Sequence, residues 1–250
     1  MQRYFIDDNK YEQNDQIIIT NDDHHHITRV LRMNVGESIY VIVGQRTARC
    51  EIVEITNEEV LTNIVEWVES SNELPIKVTI ASGLPKGDKL ELVIQKGTEL
   101  GANSFIPFNA ARSIVKWDEI KGLKKIKRWQ KIAKEAAEQS HRNKIPDIDH
   151  PMTLKKLLEN SANFDFKLIA YEEEAKIGEQ SVLAATLSKM VANQSLLVVF
   201  GPEGGLSEKE VEELRSHGFK SCGLGPRILR TETAPIYLLS AVSYHFELSR

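Results

Sequence analysis

A chain of 250 residues, 41% hydrophobic and 27% charged, is long enough to bury one large core or two modest ones, and this composition excludes intrinsic disorder and fibrous repeats. The net charge of −4 argues against a uniformly basic nucleic-acid binder, and Cys50 and Cys222 are too few and too far apart for a disulfide framework or a CxxC metal site. Both cysteines are expected as small buried hydrophobes, and the lack of any apolar run long enough for a signal peptide or membrane span leads to an expected cytoplasmic location without a membrane partner.

In chain order, the first conspicuous string is DDHHHITRVLR at residues 22–32. Three adjacent histidines cannot all point into one site from regular backbone, and no HExxH or second ligand cluster accompanies them, so no metal is expected. From Ser38 to Val68 the runs SIYVIV, ARCEIVEI and VLTNIVEWV are separated by the turn signals GQRT and TNEE, which predicts a small barrel or meander. The polar stretch SSNELP at 70–75 reads as a linker, giving a first domain at 1–70, a linker at 71–75 and a second domain at 76–250.

Strand-like and helical runs then alternate: KVTIASGL, a helix through KLELVIQKGTELG, SFIPF, a long basic helix, FKLIAYE, a helix near SVLAATLSKM, LLVVF, a helix at SEKEVEELRSHG, KSCGLG and a last helix through APIYLLSAVSYHFEL. Such alternation predicts an α/β domain with a largely parallel, helix-covered sheet. Positive charge is local: between Lys116 and Lys134 there are eight basic residues (Lys116, Lys121, Lys124, Lys125, Lys127, Arg128, Lys131, Lys134) against Asp118 and Glu119. At 100° per residue Leu123, Ile126, Trp129, Ala133 and Ala137 share one side of this helix and most of the cations the other, a pattern that fits a solvated face as well as a phosphate-binding one.

Two loops could carry chemistry. In LLVVFGPEGGLSEKE (196–210) an apolar strand runs into Gly201, Pro202, Glu203, Gly204 and Gly205, and Ser207 with Glu210 forms a capping-box pattern for the next helix. Open α/β sheets bind ligands beyond the carboxyl ends of their strands, and paired glycines let backbone approach a ligand, although a plain strand-to-helix turn has the same composition. The second loop, GLGPRILRTETA (223–234), places Gly223, Gly225 and Pro226 ahead of Arg227, Arg230, Thr231, Glu232 and Thr233, so the two loops could wall one pocket. Thr233 reads either as a cap of the last helix, which has Pro235 in its first turn, or as a pocket residue. Neither GxGxxG after a strand nor GxxxxGK[ST] occurs, which makes nucleotide hydrolysis an unsuitable reading.

GPEGG, LGPRILRTETA, AEQSHRNKIP and KGDKLELVIQKGTELG together resemble the ribosomal RNA small subunit methyltransferase E family of the SPOUT superfamily, over essentially the whole chain. The long string LGPRILRTETA is specific, whereas GPEGG alone marks only the superfamily. HHHITRVLRMNVGE resembles that family's opening domain. The resemblance implies a small N-terminal PUA-like β-barrel that grips RNA, followed by an α/β SPOUT domain with a C-terminal trefoil knot. Ordinary connection rules would not propose the knot, because chain connections rarely thread one another.

The activity implied is transfer of a methyl group from S-adenosyl-L-methionine to N3 of a uridine in the decoding region of 16S rRNA within the small ribosomal subunit, by a homodimer without metal. Carried onto this sequence, the cofactor site would be lined by Tyr171, Phe200, Gly201, Glu203, Gly204, Gly205, Leu224, Gly225, Ile228, Leu229 and Thr233. Arg230 is the candidate for stabilising charge on the base, and Glu232 or Glu203 for accepting its proton. Arg29, Arg32, Lys124, Arg128, Lys131 and Arg142 are the expected RNA contacts. In Gln139-Ser140-His141-Arg142 the imidazole departs from the small residue expected there and reads as a surface histidine. Alternatives are a SPOUT enzyme acting on another rRNA site or on tRNA, a non-catalytic RNA-binding assembly factor, and a metal-dependent hydrolase.

Overall fold

The computed structural model describes residues 1–6, 11–12, 15–69, 71–115, 119–173 and 182–249, so Lys116 and Asp118 lie outside the described residues. The chain folds as two compact units, Met1–Glu73 with Ala137–Lys144, and Leu74–Ala136 with Ile145–Arg250. The break falls inside the expected linker, but residues 137–144, expected with the second domain, cluster with the first.

The first unit is built on β1 (Arg3–Phe5), β2 (Tyr11–Glu12), β3 (Gln16–Thr20), β4 (Ser38–Val43), β5 (Arg46–Ile55) and β6 (Glu59–Val68), with helix α1 (Asn21–His25) continuing into a π-helical turn, His26–Val30. Sheet order is β1-β4-β5-β6-β3-β2, parallel at β1–β4 and antiparallel elsewhere. The predicted barrel is therefore an open, curled sheet among the described residues: the ladder runs from β1 to β2 without closing. Register shifts at Arg49/Cys50 and Ile52/Glu54 supply curl, since a bulge bends its strand and increases twist. Alternation along the strands puts Ile17, Ile19, Ile39, Val41, Cys50, Ile52 and Val60 into one core with Ile27.

The three histidines diverge as the sequence requires. His24 Nε2 bonds to the Thr56 carbonyl at 3.1 Å, His26 Nδ1 bonds to the Tyr4 hydroxyl at 3.0 Å, and His25 is exposed. A polar clamp closes the unit. Arg3 donates to the carbonyls of His141 (2.7 Å) and Arg142 (3.3 Å), and Arg142 donates through Nε and a terminal nitrogen to Glu73. Glu73 also accepts the backbone N–H groups of Asn143 and Lys144.

The second unit holds β7 (Lys77–Gly83), α2 (Lys89–Glu99), β8 (Ser104–Asn109), most of α3 (Glu119–Gln139), β9 (Asp147–Ile148), β10 (Met152–Thr153), α4 (Leu154–Asn160), β11 (Phe166–Ala170), α5 (Val182–Leu187), β12 (Ser195–Phe200), α6 (Glu208–Ser216), β13 (Lys220–Cys222) and α7 (Thr233–Ser243). Its strands run β10-β8-β7-β12-β11-β13, with β9 paired to β8, and every pairing is parallel. The central strands β7 and β12 are buried over nearly their whole length, as expected of a sheet covered on both faces. In α3, Ile126, Trp129, Ala133 and Ala137 are buried as the periodicity predicts, but Leu123 is 53% exposed. Among the described residues no helix is long and apolar enough to cross a membrane.

Candidate functional site

Because the strands are parallel, their carboxyl ends share one edge: Ser82, Phe200, Ala170 and Cys222 stand in register across β7, β12, β11 and β13. The segments leaving that edge enclose a cavity of about 540 Å³, within the usual size of a small-molecule site. Lys89 enters after β7, Arg112 after β8, Tyr171 and Glu172 after β11, Phe200 at the end of β12 with Gly201 to Glu203, Gly205 and Leu206 beyond it, and Leu224 with Arg227 to Thr231 after β13. Both glycine loops line this one cavity, and it lies where ligands of open α/β sheets bind.

The GPEGG turn is compact for a steric reason. A β-carbon on Gly201 would come within 2.8 Å of the backbone of Gly205 and Leu206, and Gly205 itself has φ of +68°. The capping box then starts α6: Ser207 accepts from the Glu210 N–H, and Glu210 Oε2 accepts the Ser207 N–H at 2.8 Å. The other Glu210 oxygen accepts the Ala111 N–H at 2.7 Å, and Arg112 donates to the Gly204 carbonyl at 3.0 Å, so the segment after β8 is fastened to this loop.

Of the residues expected at the cofactor, Tyr171, Phe200, Gly201, Glu203, Gly205, Leu224, Ile228 and Leu229 line the cavity; Gly204, Gly225 and Thr233 do not. Thr233 opens α7, and its N–H donates to the Arg230 carbonyl at 2.9 Å. Arg230 lines the cavity. Glu203 does too, but its Oε1 accepts from Lys89 Nζ at 2.8 Å and from the Lys86 N–H at 3.1 Å. Burial would raise the Glu203 carboxyl, and these donors outweigh it, holding the group below the ordinary carboxylate value. Glu232 does not line the cavity; its Oε2 is buried without a hydrogen bond, 3.7 Å from Lys89 Nζ.

Sequence reasoning missed Lys89, Arg112 and Glu172 as lining residues, while Arg227 lines the cavity from the second glycine loop. The signal available for Lys89 was its place in KGDK directly after a strand, at the sheet edge where ligands bind.

The expected RNA contacts divide. Arg29, Arg32, Lys124 and Lys131 are exposed. Arg128 is exposed while its guanidinium grips Glu91 at 2.7 Å, beside Lys125 at 3.1 Å. Arg142 is corrected: it is 2% exposed and spent on Glu73, so its charge cannot meet a phosphate. His141 is exposed, as expected, at φ +60°.

A family model described as an RNA methyltransferase domain matches residues 72–243, and one described as an RNA methyltransferase PUA domain matches residues 15–65. Over 253 residues the chain is 53% identical to the ribosomal RNA small subunit methyltransferase E of Bacillus subtilis (strain 168), covering 100% of this chain and 99% of that one. It is 33% identical over 242 residues to the enzyme of the same name from Mesomycoplasma hyopneumoniae (strain 232), covering 96% and 98%. The crystal structure of the ribosomal RNA small subunit methyltransferase E from Neisseria gonorrhoeae bound to S-adenosyl methionine superposes with a TM-score of 0.83 at 25% identity, covering 97% of each chain. With both domain models matched in order and full-length identity above half, this chain belongs to the ribosomal RNA small subunit methyltransferase E family.

Proposed function

We propose that this protein binds S-adenosyl-L-methionine in the cavity at the carboxyl edge of its parallel sheet and methylates N3 of a uridine in the decoding region of 16S rRNA, within the small ribosomal subunit. The observation that carries the reading is the convergence of both glycine loops on one cavity. Its lining suits the cofactor: Tyr171, Phe200, Leu224, Ile228 and Leu229 offer apolar surface for an adenine, while Gly201 and Gly205 present bare backbone to the cavity. In this reading the loops 201–207 and 223–232 are the knot loops. When bound, the cofactor supplies a methyl group on a positively charged sulfur, open to in-line displacement.

The protein's own task is to position the base and ease removal of the N3 proton, because a neutral imide nitrogen is a poor nucleophile. Loss of that proton spreads negative charge onto the two flanking carbonyl oxygens. Arg230, a cation on the cavity wall, is assigned to that charge. Glu203 is engaged by Lys89 and Lys86, and Glu232 stands behind Lys89 rather than on the cavity wall, which favours holding roles for both over proton acceptance. Arg29 and Arg32 in one unit, and Lys124, Arg128 and Lys131 in the other, are assigned to phosphates. Tyr237, Tyr244 and Leu248, exposed on α7 and the turn after it, are the apolar surface we assign to a homodimer contact.

The test is incubation with methyl-labelled cofactor and small subunits from cells lacking this methylation, followed by primer extension, which N3 methylation blocks. One new stop at a decoding-region uridine is expected, reduced about 100-fold or more in Arg230→Ala. A stop elsewhere would move the substrate within rRNA, and an undiminished Arg230→Ala rate would remove the arginine assignment.

A further inference from the structure

Lys89 occupies a position that helix stability alone would not choose. It is the first residue of α2, where the positive end of the helix dipole disfavours a cation and favours an acidic group. It nevertheless lines the cavity. Two carboxylates hold it there from different loops: Glu203 of the 201–207 loop at 2.8 Å and Glu232 of the 223–232 loop at 3.7 Å. Arg230 of the same second loop is close enough to oppose its charge.

An ammonium has three N–H donors. Glu203 takes one and Glu232 faces a second, which leaves a donor for whatever occupies the cavity. Of the other charged groups nearby, Glu91, on the same helix, is held by Lys125 and Arg128, and Arg112 bonds the Gly204 carbonyl, while Glu172, Glu173, Glu208 and Arg227 also line the cavity. The hydrogen bond to Glu203 is the chief reason that the Lys89 ammonium is held above its ordinary value, with burial and Arg230 opposing, so it stays charged through the neutral range.

We propose that Lys89 is a second catalytic cation, which shares with Arg230 the negative charge that the uracil carbonyl oxygens acquire as N3 loses its proton. The proposal rests on the N3 reading above. In the step, the N3–H bond breaks and its proton leaves to solvent, the electron pair left on N3 spreads over the two carbonyls, and one carbonyl accepts from Lys89 Nζ while the other accepts from Arg230. The same pair on N3 then forms the new bond to the methyl carbon as the carbon–sulfur bond breaks toward sulfur. Two separate cations on one cavity suit an anion whose charge is shared by two oxygens better than one arginine does.

The test compares single-turnover methylation of small subunits between pH 6 and 9.5 for the wild type, Lys89→Met and Lys89→Arg, alongside calorimetric cofactor affinity and melting temperature. Lys89→Met should slow the limiting rate about 100-fold and push the rising limb of the pH profile to more alkaline values, while cofactor affinity changes less than about threefold. Lys89→Arg should restore part of the rate and return the limb toward neutrality. A Lys89→Met enzyme with the wild-type pH profile, or one whose loss is accounted for by weaker cofactor binding or a lower melting temperature, would make Lys89 a brace between loops and overturn the proposal. Wild-type label at an atom other than N3 would remove the underlying reading, whatever Lys89 does.

Discussion

His141 sits at φ +60°, just beyond the last residue of α3, where helices commonly end on a glycine in the left-handed conformation. An L-residue there costs about 1–2 kcal/mol relative to glycine. His141→Gly is therefore expected to raise the urea midpoint, with a gain of about 0.5–1 kcal/mol after the larger chain entropy of glycine is subtracted. Burial, then the nearby Arg3 charge, lowers the imidazole's affinity for a proton in the folded state. The unfolded chain thus binds the proton first: His141's contribution is present above its unfolded value near 6.5 and is lost as pH falls through the lower folded value. In His141→Gly the decline in stability from pH 7 to 5 should be shallower, and an unchanged decline would assign that acid limb to other groups. The sequence marked the imidazole as out of place, but not why, because the backbone angle that favours a small residue is set by how the helix ends. Its neighbour Arg142 misled for a related reason: its partner Glu73 lies 69 residues away, and charge composition cannot distinguish a solvated arginine from a buried one. Arg142→Ala should cost about 3–5 kcal/mol in unfolding experiments by stranding Glu73, and leave the salt dependence of RNA binding untouched.

At the scale of elements, α6 begins on a capping box whose glutamate also holds the neighbouring segment through Ala111. Glu210→Ala removes both, whereas Glu210→Gln can still accept from the backbone, so the alanine variant should lose about 1–2 kcal/mol and the glutamine variant less. Equal losses in thermal melts would mean that charge rather than hydrogen bonding is what matters there. The basic helix invites a separate measurement. Lys124, Lys127 and Lys131 face solvent on α3, while Lys125 and Arg128 are tied to Glu91. Replacing the first three by alanine should reduce the slope of log affinity against log salt by about 0.7–0.9 for each phosphate that is no longer neutralised; an unchanged slope would make that face solvation only. The capping box and the long helix were legible because their patterns are local and periodic. Strands β2, β9 and β10 were not, because two residues are too few for any alternation to be counted.

At the scale of the whole molecule, the alternation of strands and helices foretold a parallel sheet, and from that the edge at which a ligand would sit. It could not foretell that the KGDK segment and the segment after β8 would join the two glycine loops, because strand order β10-β8-β7-β12-β11-β13 is not chain order. The two units have separate cores, and each contains one cysteine, fully buried and outside any disulfide: Cys50 in the first, and Cys222 in the second at the strand end beside the cavity. Burial pushes the Cys50 thiol up to about 11, so neither accessibility nor ionisation favours its reaction while folded. Labelling by a thiol reagent in sub-denaturing urea, read by mass spectrometry at each cysteine, therefore reports the opening of each core. A ligand bound only to the folded second unit lowers the population of its open form by the factor 1 + [L]/Kd. With S-adenosyl-L-methionine at about a hundred times its dissociation constant, Cys222 should label about 100-fold more slowly while Cys50 is unaffected. Gly201→Ala, which forces a methyl group against the Gly205–Leu206 backbone, should abolish that protection. Equal protection of both cysteines would mean that the two cores open as a single cooperative unit, and protection of neither would mean that the cofactor does not bind the folded second unit.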